Sequence, residues 1–92
     1  MEKIRTTVKI AGKEYTIDGY DSKEHVRHVA GIVDRNMIEL SIQTRLPAAQ
    51  LSVLVAMNMA DELVKTQNEL VRLRMELDLT RVKLEKMKNE KE

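Results

Sequence analysis

Residues 48–89 read AAQLSVLVAMNMADELVKTQNELVRLRMELDLTRVKLEKMKN and contain neither glycine nor proline. Most of them are Leu, Met, Ala, Glu, Lys, Arg or Gln, which are strong helix formers. A helix of about 40 residues rises roughly 60 Å, more than the diameter of a globule built from a chain of this length. We therefore predict one long C-terminal helix, half of which projects from its own domain.

Leucines recur every seven residues along this helix, and with them at heptad position a the pattern is that of a coiled-coil seam. The g positions are then glutamates that face basic e positions of a parallel partner, as in Glu69 to Arg74 and Glu76 to Arg81. We predict a parallel homodimer, and the residues of its coiled coil are Leu63, Leu70, Leu73, Leu77 and Leu84.

A second apolar stripe lies about 160° around the helix from the seam when each residue turns 100°. Single apolar residues are normal on protein surfaces, and this is the alternative interpretation of the stripe. We expect instead a contact that joins two dimers into a tetramer. The residues of this second stripe are Val64, Val71, Met75, Leu79 and Val82.

Upstream of the long helix, apolar and polar residues alternate over Lys3–Ile10 and again over Glu14–Ile17, which predicts a β-hairpin. Gly12 in the connector can take a positive φ. A lone hairpin is marginal in water, so its apolar face must be covered by a helix or a partner. We expect Tyr15 and Ile17 to point toward that cover.

A shorter amphipathic helix is predicted from about Ser22 to residue 42, with Asp21 as its N-cap. Its single apolar face consists of Val26, Val29, Ala30, Val33, Met37 and Leu40. Gly31 inside a helix is unfavourable unless the backbone packs closely there. The chain is thus predicted to be α+β, with a globular head over residues 1–62 and a coiled-coil tail over residues 63–92.

Composition argues against several classes of function. The absence of cysteine excludes thiolate metal sites and fits the reducing cytoplasm. Two Tyr, no Phe and no Trp leave little to stack on bases or line a cofactor pocket, and 16 basic against 15 acidic residues is unlike a nucleic-acid binder. The longest uncharged stretch, Leu46–Ala60, is shorter than a membrane span. We expect a cytoplasmic protein with no cofactor, nucleic acid or membrane insertion.

Catalytic and metal-binding patterns are weak in this sequence. His25 and His28 stand three residues apart on one helix, but no further ligands follow at a suitable spacing, so we expect no metal site. No serine, threonine or lysine lies in a nucleophile motif, and the three glycines form no phosphate-binding loop. We predict a protein without enzymatic activity and without catalytic residues.

Two basic residues on connectors are the candidate binding residues. Lys13 lies at the hairpin tip and Arg45 lies in the junction between the helices, and exposed charges on connectors are often functional. On the shorter helix, by contrast, Arg35 is interleaved with Asp34 and Glu39, so we interpret that face as simply solvated.

The order of hairpin, short helix and long helix resembles the ZapA family of bacterial cell-division proteins. The resemblance is carried by VAGIVD at residues 29–34 and LSVLVAMN at residues 51–58, and it covers about residues 5–65. It implies a non-enzymatic protein that binds filaments of FtsZ, the tubulin-like division GTPase, and cross-links them to promote ring assembly at midcell. It also implies dimers formed through the heads and tetramers formed through the coiled coils.

In the same way, the resemblance implies that Lys13 and Arg45 contact the FtsZ filament, since both hold places that are basic in the family. Two other functions stay open from the residues alone. One is a coiled-coil structural adaptor for an unrelated partner. The other is a DNA-binding regulator, although the helix start PAAQ at residues 47–50 is not basic and offers nothing to read bases.

Overall fold

The computed structural model describes residues 2–91 as two strands followed by two helices. The strands are β1 (Ile4–Ile10) and β2 (Lys13–Gly19), and the helices are α1 (Lys23–Thr44) and α2 (Ala48–Lys91). The predicted α+β class is confirmed, with its hairpin, shorter helix and long C-terminal helix. Helix α2 is a single element of 44 residues, as its lack of breakers predicts.

The hairpin is one antiparallel pair in which Ile10 lies opposite Lys13. Its two connecting residues both have positive φ, 51° at Ala11 and 82° at Gly12, as in a type I′ turn. This turn matches the right-handed twist of the strands. The second strand extends to Gly19, beyond the predicted end, because the pairing continues along all seven residues of each strand.

The two strands differ in how well their apolar face is covered. Thr6 and Val8 on β1 are buried, and the register places them opposite Ile17 and Tyr15, so all four share one face. Yet Tyr15 and Ile17 are 47% and 41% exposed. The reason is that α1 approaches β1 but, among residues 2–91, not β2. Their predicted direction is right, but this chain alone does not cover them.

Helix α1 begins one residue later than an Asp21 cap would place it. Ser22 is the N-cap, and its Oγ accepts a hydrogen bond from the backbone N–H of His25 at 3.1 Å. The prediction of Asp21 was wrong because two adjacent residues both suit a cap, and the backbone turns into the helix at the second.

The chain divides into two compact units, Met1–Met57 and Asn58–Glu92. The first unit has a small core, and its fully buried residues are Thr6, Val8, Ala30, Leu51 and Val55. On the predicted apolar face of α1 every residue except Val29 is at least half-buried. Gly31 does not lie on this packed face, because a Cβ built at Gly31 has no neighbouring atom within 4 Å. Close packing inside this chain therefore does not explain that glycine.

The second unit is the remaining part of α2. Among its described residues Met59 is partly buried, and all the others are exposed. No helix within residues 2–91 is long and apolar enough to cross a membrane. The predicted boundary between a head at residues 1–62 and a coiled-coil tail at residues 63–92 stays a prediction. The start of a coiled coil is defined by contacts with a partner chain.

Candidate functional site

Lys13 is the first residue of β2, directly after the hairpin turn. Its side chain is exposed, and within residues 2–91 it forms no ion pair. Arg5 on the neighbouring strand is different, because its Nε donates to the Asp18 carboxylate at 3.0 Å, and this hydrogen bond raises the pKa of the guanidinium. Lys13 thus offers a free positive charge at the hairpin tip, whereas Arg5 is neutralised by its cross-strand neighbour.

The hairpin tip is attached to α1 by one hydrogen bond. The backbone N–H of Ala11 donates to Oδ1 of Asp34 at 2.8 Å. Asp34 is half-buried, so its assignment to a simply solvated face was wrong. A signal for this contact was present in the sequence, because Asp34 lies four residues after Ala30 and therefore falls on the same helix face.

Arg45 ends α1 in a left-handed conformation, with φ 54° and ψ 26°. Its N–H donates to the carbonyl of Ser41 at 3.3 Å, which satisfies one of the free carbonyls at the helix end. This position usually holds glycine, because a Cβ makes the left-handed region unfavourable by about 1–2 kcal/mol. Strained residues of this kind cluster at functional sites. Arg45 is also exposed and without an ion pair in the described part of the chain.

Lys13 and Arg45 belong to the same compact unit, but they lie at different heights along the axis of α1. The hairpin tip contacts the helix at Asp34, and Arg45 follows eleven positions later in the chain. At 1.5 Å per residue, this places the helix end about 16 Å along the axis from the tip contact. An acidic surface that engages both cations must therefore offer two separate anionic points.

An apolar groove of about 290 Å³ lies in the first unit between α1 and the hairpin. Its wall includes Ile17 from the uncovered part of β2 and Val29, the exposed member of the α1 face. Asp21 and His25 are the polar residues that line it. The groove exists because α1 covers only one of the two strands, and it leaves apolar surface for another chain to cover.

Both apolar stripes of α2 are uncovered in the single chain. The five leucine positions of the seam are 46–61% exposed, and the five positions of the second stripe are 52–64% exposed. No contact within the described residues buries either stripe. The two stripes span residues 63–84, about six turns of helix. Exposed apolar residues on two sides of such a segment favour association with other chains.

One arginine binds both glutamates that were assigned to interchain contacts. The guanidinium of Arg72 pairs with Glu69, with Nε to Oε2 at 3.0 Å, and also with Glu76. The hydrogen bond to Arg72 lowers the pKa of Glu69. The spacings of three and four residues are those of helix-surface ion pairs and were visible in the sequence. Any contact of these glutamates with a partner chain must compete with Arg72.

Other ligand sites find no support in the described residues. His25 and His28 are both exposed, and within residues 2–91 no three His, Cys, Asp or Glu side chains are grouped closely enough to hold a metal ion.

Comparison with known proteins gives a consistent result. The family model described as "Cell division protein ZapA" matches residues 6–90. A protein of that name from Bacillus licheniformis is 43% identical over 79% of this chain and 87% of its own length. Its namesake from Bacillus subtilis is 40% identical over 83% of this chain and 91% of its own length.

A solved structure agrees with the observed fold. It is a mutant ZapA dimer from Geobacillus stearothermophilus, 42% identical in sequence, with a TM-score of 0.66. The similarity covers 85% of this chain and 92% of the solved one. The fold and the family suggested by the VAGIVD and LSVLVAMN motifs are therefore confirmed.

Proposed function

The chain belongs to the ZapA family of cell division proteins, and on this premise we propose that it binds FtsZ filaments in the cytoplasm and cross-links them at midcell. The family is non-enzymatic, which agrees with the absence of a nucleophile motif in the sequence. Family membership also decides between the functions left open by the residues, because it selects cell division over an unrelated adaptor or a DNA-binding regulator.

The proposed filament contact is supported by two cations on connectors that form no ion pair among the described residues. Lys13 and Arg45 are exposed in the same unit, and neither is neutralised by a neighbouring carboxylate within residues 2–91. Placing two such charges at turns favours an acidic partner surface. The contact should weaken from about 50 to 300 mM salt, because the Debye length falls from roughly 14 to 6 Å.

Charge reversal tests this contact directly. Lys13→Glu combined with Arg45→Glu should abolish co-sedimentation with polymerised FtsZ and the bundling of its filaments. The matched control is Lys3→Glu with Lys23→Glu, which changes the net charge equally at two other exposed lysines of the unit. Normal bundling by the first variant would show that the connectors are not the contact. The α1 face around Arg27, Arg35 and Glu39 would then be mutated next.

Cross-linking requires more than one head, and we propose that the leucine seam supplies it as a parallel homodimer. The seam leucines are exposed in one chain, and a solved relative is a dimer. A cysteine in place of Leu77 should form a disulfide with its own counterpart. Efficient trapping between Leu70→Cys and Leu84→Cys chains, without trapping at Leu77, would instead establish antiparallel pairing.

The second stripe is proposed to join two dimers into a tetramer. Val71→Glu places a charge in that contact, which costs several kcal/mol unless the surfaces separate. Light scattering should then report dimers for Val71→Glu or Val82→Glu and tetramers for the wild type. Lys65→Gln changes the net charge by the same amount at an exposed position outside both stripes and should leave the mass unchanged. A folded Val71→Glu variant with the wild-type mass would show that the stripe faces water.

A further inference from the structure

The hydrogen bond from Ala11 to Asp34 joins residues 23 positions apart in the chain. Within residues 2–91 it is the one hydrogen bond between the hairpin and a helix. The apolar packing of α1 on β1 holds the strand but says little about the turn, which extends beyond the last paired residues Ile10 and Lys13. The bond to Asp34 is therefore the one hydrogen bond between the turn and α1 in the described part of the chain.

The chemistry of this bond suits a positioning role. Ala11 adopts a φ of 51°, a region that L residues with a Cβ rarely occupy, so its own preference does not hold the turn. Its amide lies outside the strand pairing and is free for an external acceptor. A carboxylate is a stronger acceptor than a neutral group, and this one is half-buried on a rigid helix.

We propose that Asp34 is a positioning residue of the filament-binding site. By fixing the turn at one level of α1, it sets the location of Lys13, two residues after Ala11, relative to Arg45 at the helix end. This inference rests on the proposed function, because it treats Lys13 and Arg45 as the contact. It adds that the spacing of the two cations, and not their charge alone, determines recognition of the filament.

What the position needs is an acceptor oxygen in one place. Asp34→Asn keeps an oxygen at the same distance from the backbone and removes the charge, whereas Asp34→Glu keeps the charge and moves the oxygens by one methylene. Asp34→Ala removes both. Glu39→Ala is the matched control, because Glu39 is an exposed carboxylate of the same helix with no hydrogen bond in the described structure.

The test measures the turn and the binding separately on the full chain. Hydrogen exchange of the Ala11 amide, followed by NMR, reports the bond, and co-sedimentation with polymerised FtsZ reports binding. Asp34→Ala should speed exchange about tenfold and weaken binding about tenfold. Asp34→Asn should be impaired less than Asp34→Ala in both, because it keeps a weaker, neutral acceptor oxygen in place. Asp34→Glu should be impaired in both, and Glu39→Ala should change neither. A circular dichroism spectrum confirms that each variant is folded.

Four results would overturn the inference, and they are distinguishable. Unchanged Ala11 exchange in Asp34→Ala would show that the bond does not hold the turn. Faster exchange with wild-type binding, while Lys13→Glu with Arg45→Glu binds poorly, would remove the positioning role and leave the filament contact intact. Binding restored by Asp34→Glu but not by Asp34→Asn would assign the effect to charge. If the double reversal also binds normally, the proposed contact at Lys13 and Arg45 fails, and the role of Asp34 in binding fails with it.

Discussion

The two compact units of this chain are stabilised in different ways. Met1–Met57 contains buried residues from β1 and both helices, whereas Asn58–Glu92 contains no buried residue among those described. Helical propensity alone gives marginal stability in water, so we expect the second unit to depend on burying its stripes against other chains. We therefore expect the first unit to be stable within one chain and the second to be stable only on association. Four substitutions test this difference, and they are given in order of decreasing effect.

Leu77→Asp should have the largest effect. It places a charge in the seam of each chain of a dimer and removes two leucines, which costs about 5 kcal/mol or more of association free energy. Analytical ultracentrifugation should show monomers, and helical circular dichroism should fall. Asn68→Asp lies away from the seam and should stay associated. A Leu77→Asp protein that sediments as the wild type would mean that the seam is solvent-exposed.

Leu51→Ala should destabilise the first unit. Leu51 is buried inside the chain, so its truncation leaves a cavity that costs about 2–5 kcal/mol. The midpoint of thermal unfolding should fall by the same amount at every protein concentration. Leu70→Ala is the counterpart in the second unit, and its loss of stability should depend on concentration, because in the proposed dimer a partner chain covers that position. Equal concentration dependence in both variants would show that the units are not separable.

Thr6→Val should stabilise the first unit by about 1 kcal/mol. The Oγ1 of Thr6 is buried without a hydrogen-bond partner, and valine has nearly the same shape without the polar atom. Thr7→Val on the opposite face is the control, since its hydroxyl lies 3.4 Å from that of Thr16, and it should give no gain. Chemical denaturation measures both. A destabilised Thr6→Val variant would show that the Thr6 hydroxyl has a hydrogen-bond partner in the folded protein.

The smallest effect concerns the Arg72 ion pairs of the second unit. The pKa of Glu69 is lowered in the folded chain, so its contribution is present above its usual value of 4.5 and is lost as the pH falls through the lowered value. Helical circular dichroism should therefore decline in acid slightly more for the wild type than for Arg72→Gln. High salt should reduce the difference, because the pair is exposed. Equal acid sensitivity at low salt would show that the ion pairs contribute nothing.

Most of the fold was predictable because its signals are local. The alternation of β1, the 3.6-residue period of α1 and the unbroken run of helix formers in α2 each lie within one element. Element ends were less certain, as the choice between Asp21 and Ser22 shows. For the candidate site, the sequence indicated Lys13 and Arg45 through their places on connectors, and the structure confirms that both are exposed.

The elements, the apolar stripes of α2 and the family can all be recognised from the order of the residues. The hydrogen bond between Ala11 and Asp34, the covering of β1 but not of Tyr15 and Ile17 by α1, and the open space beside Gly31 became visible only in the folded chain. The residues concerned lie far apart along the chain. Periodicity reports which face of an element is apolar, but the partner of that face depends on how separate elements approach one another in space.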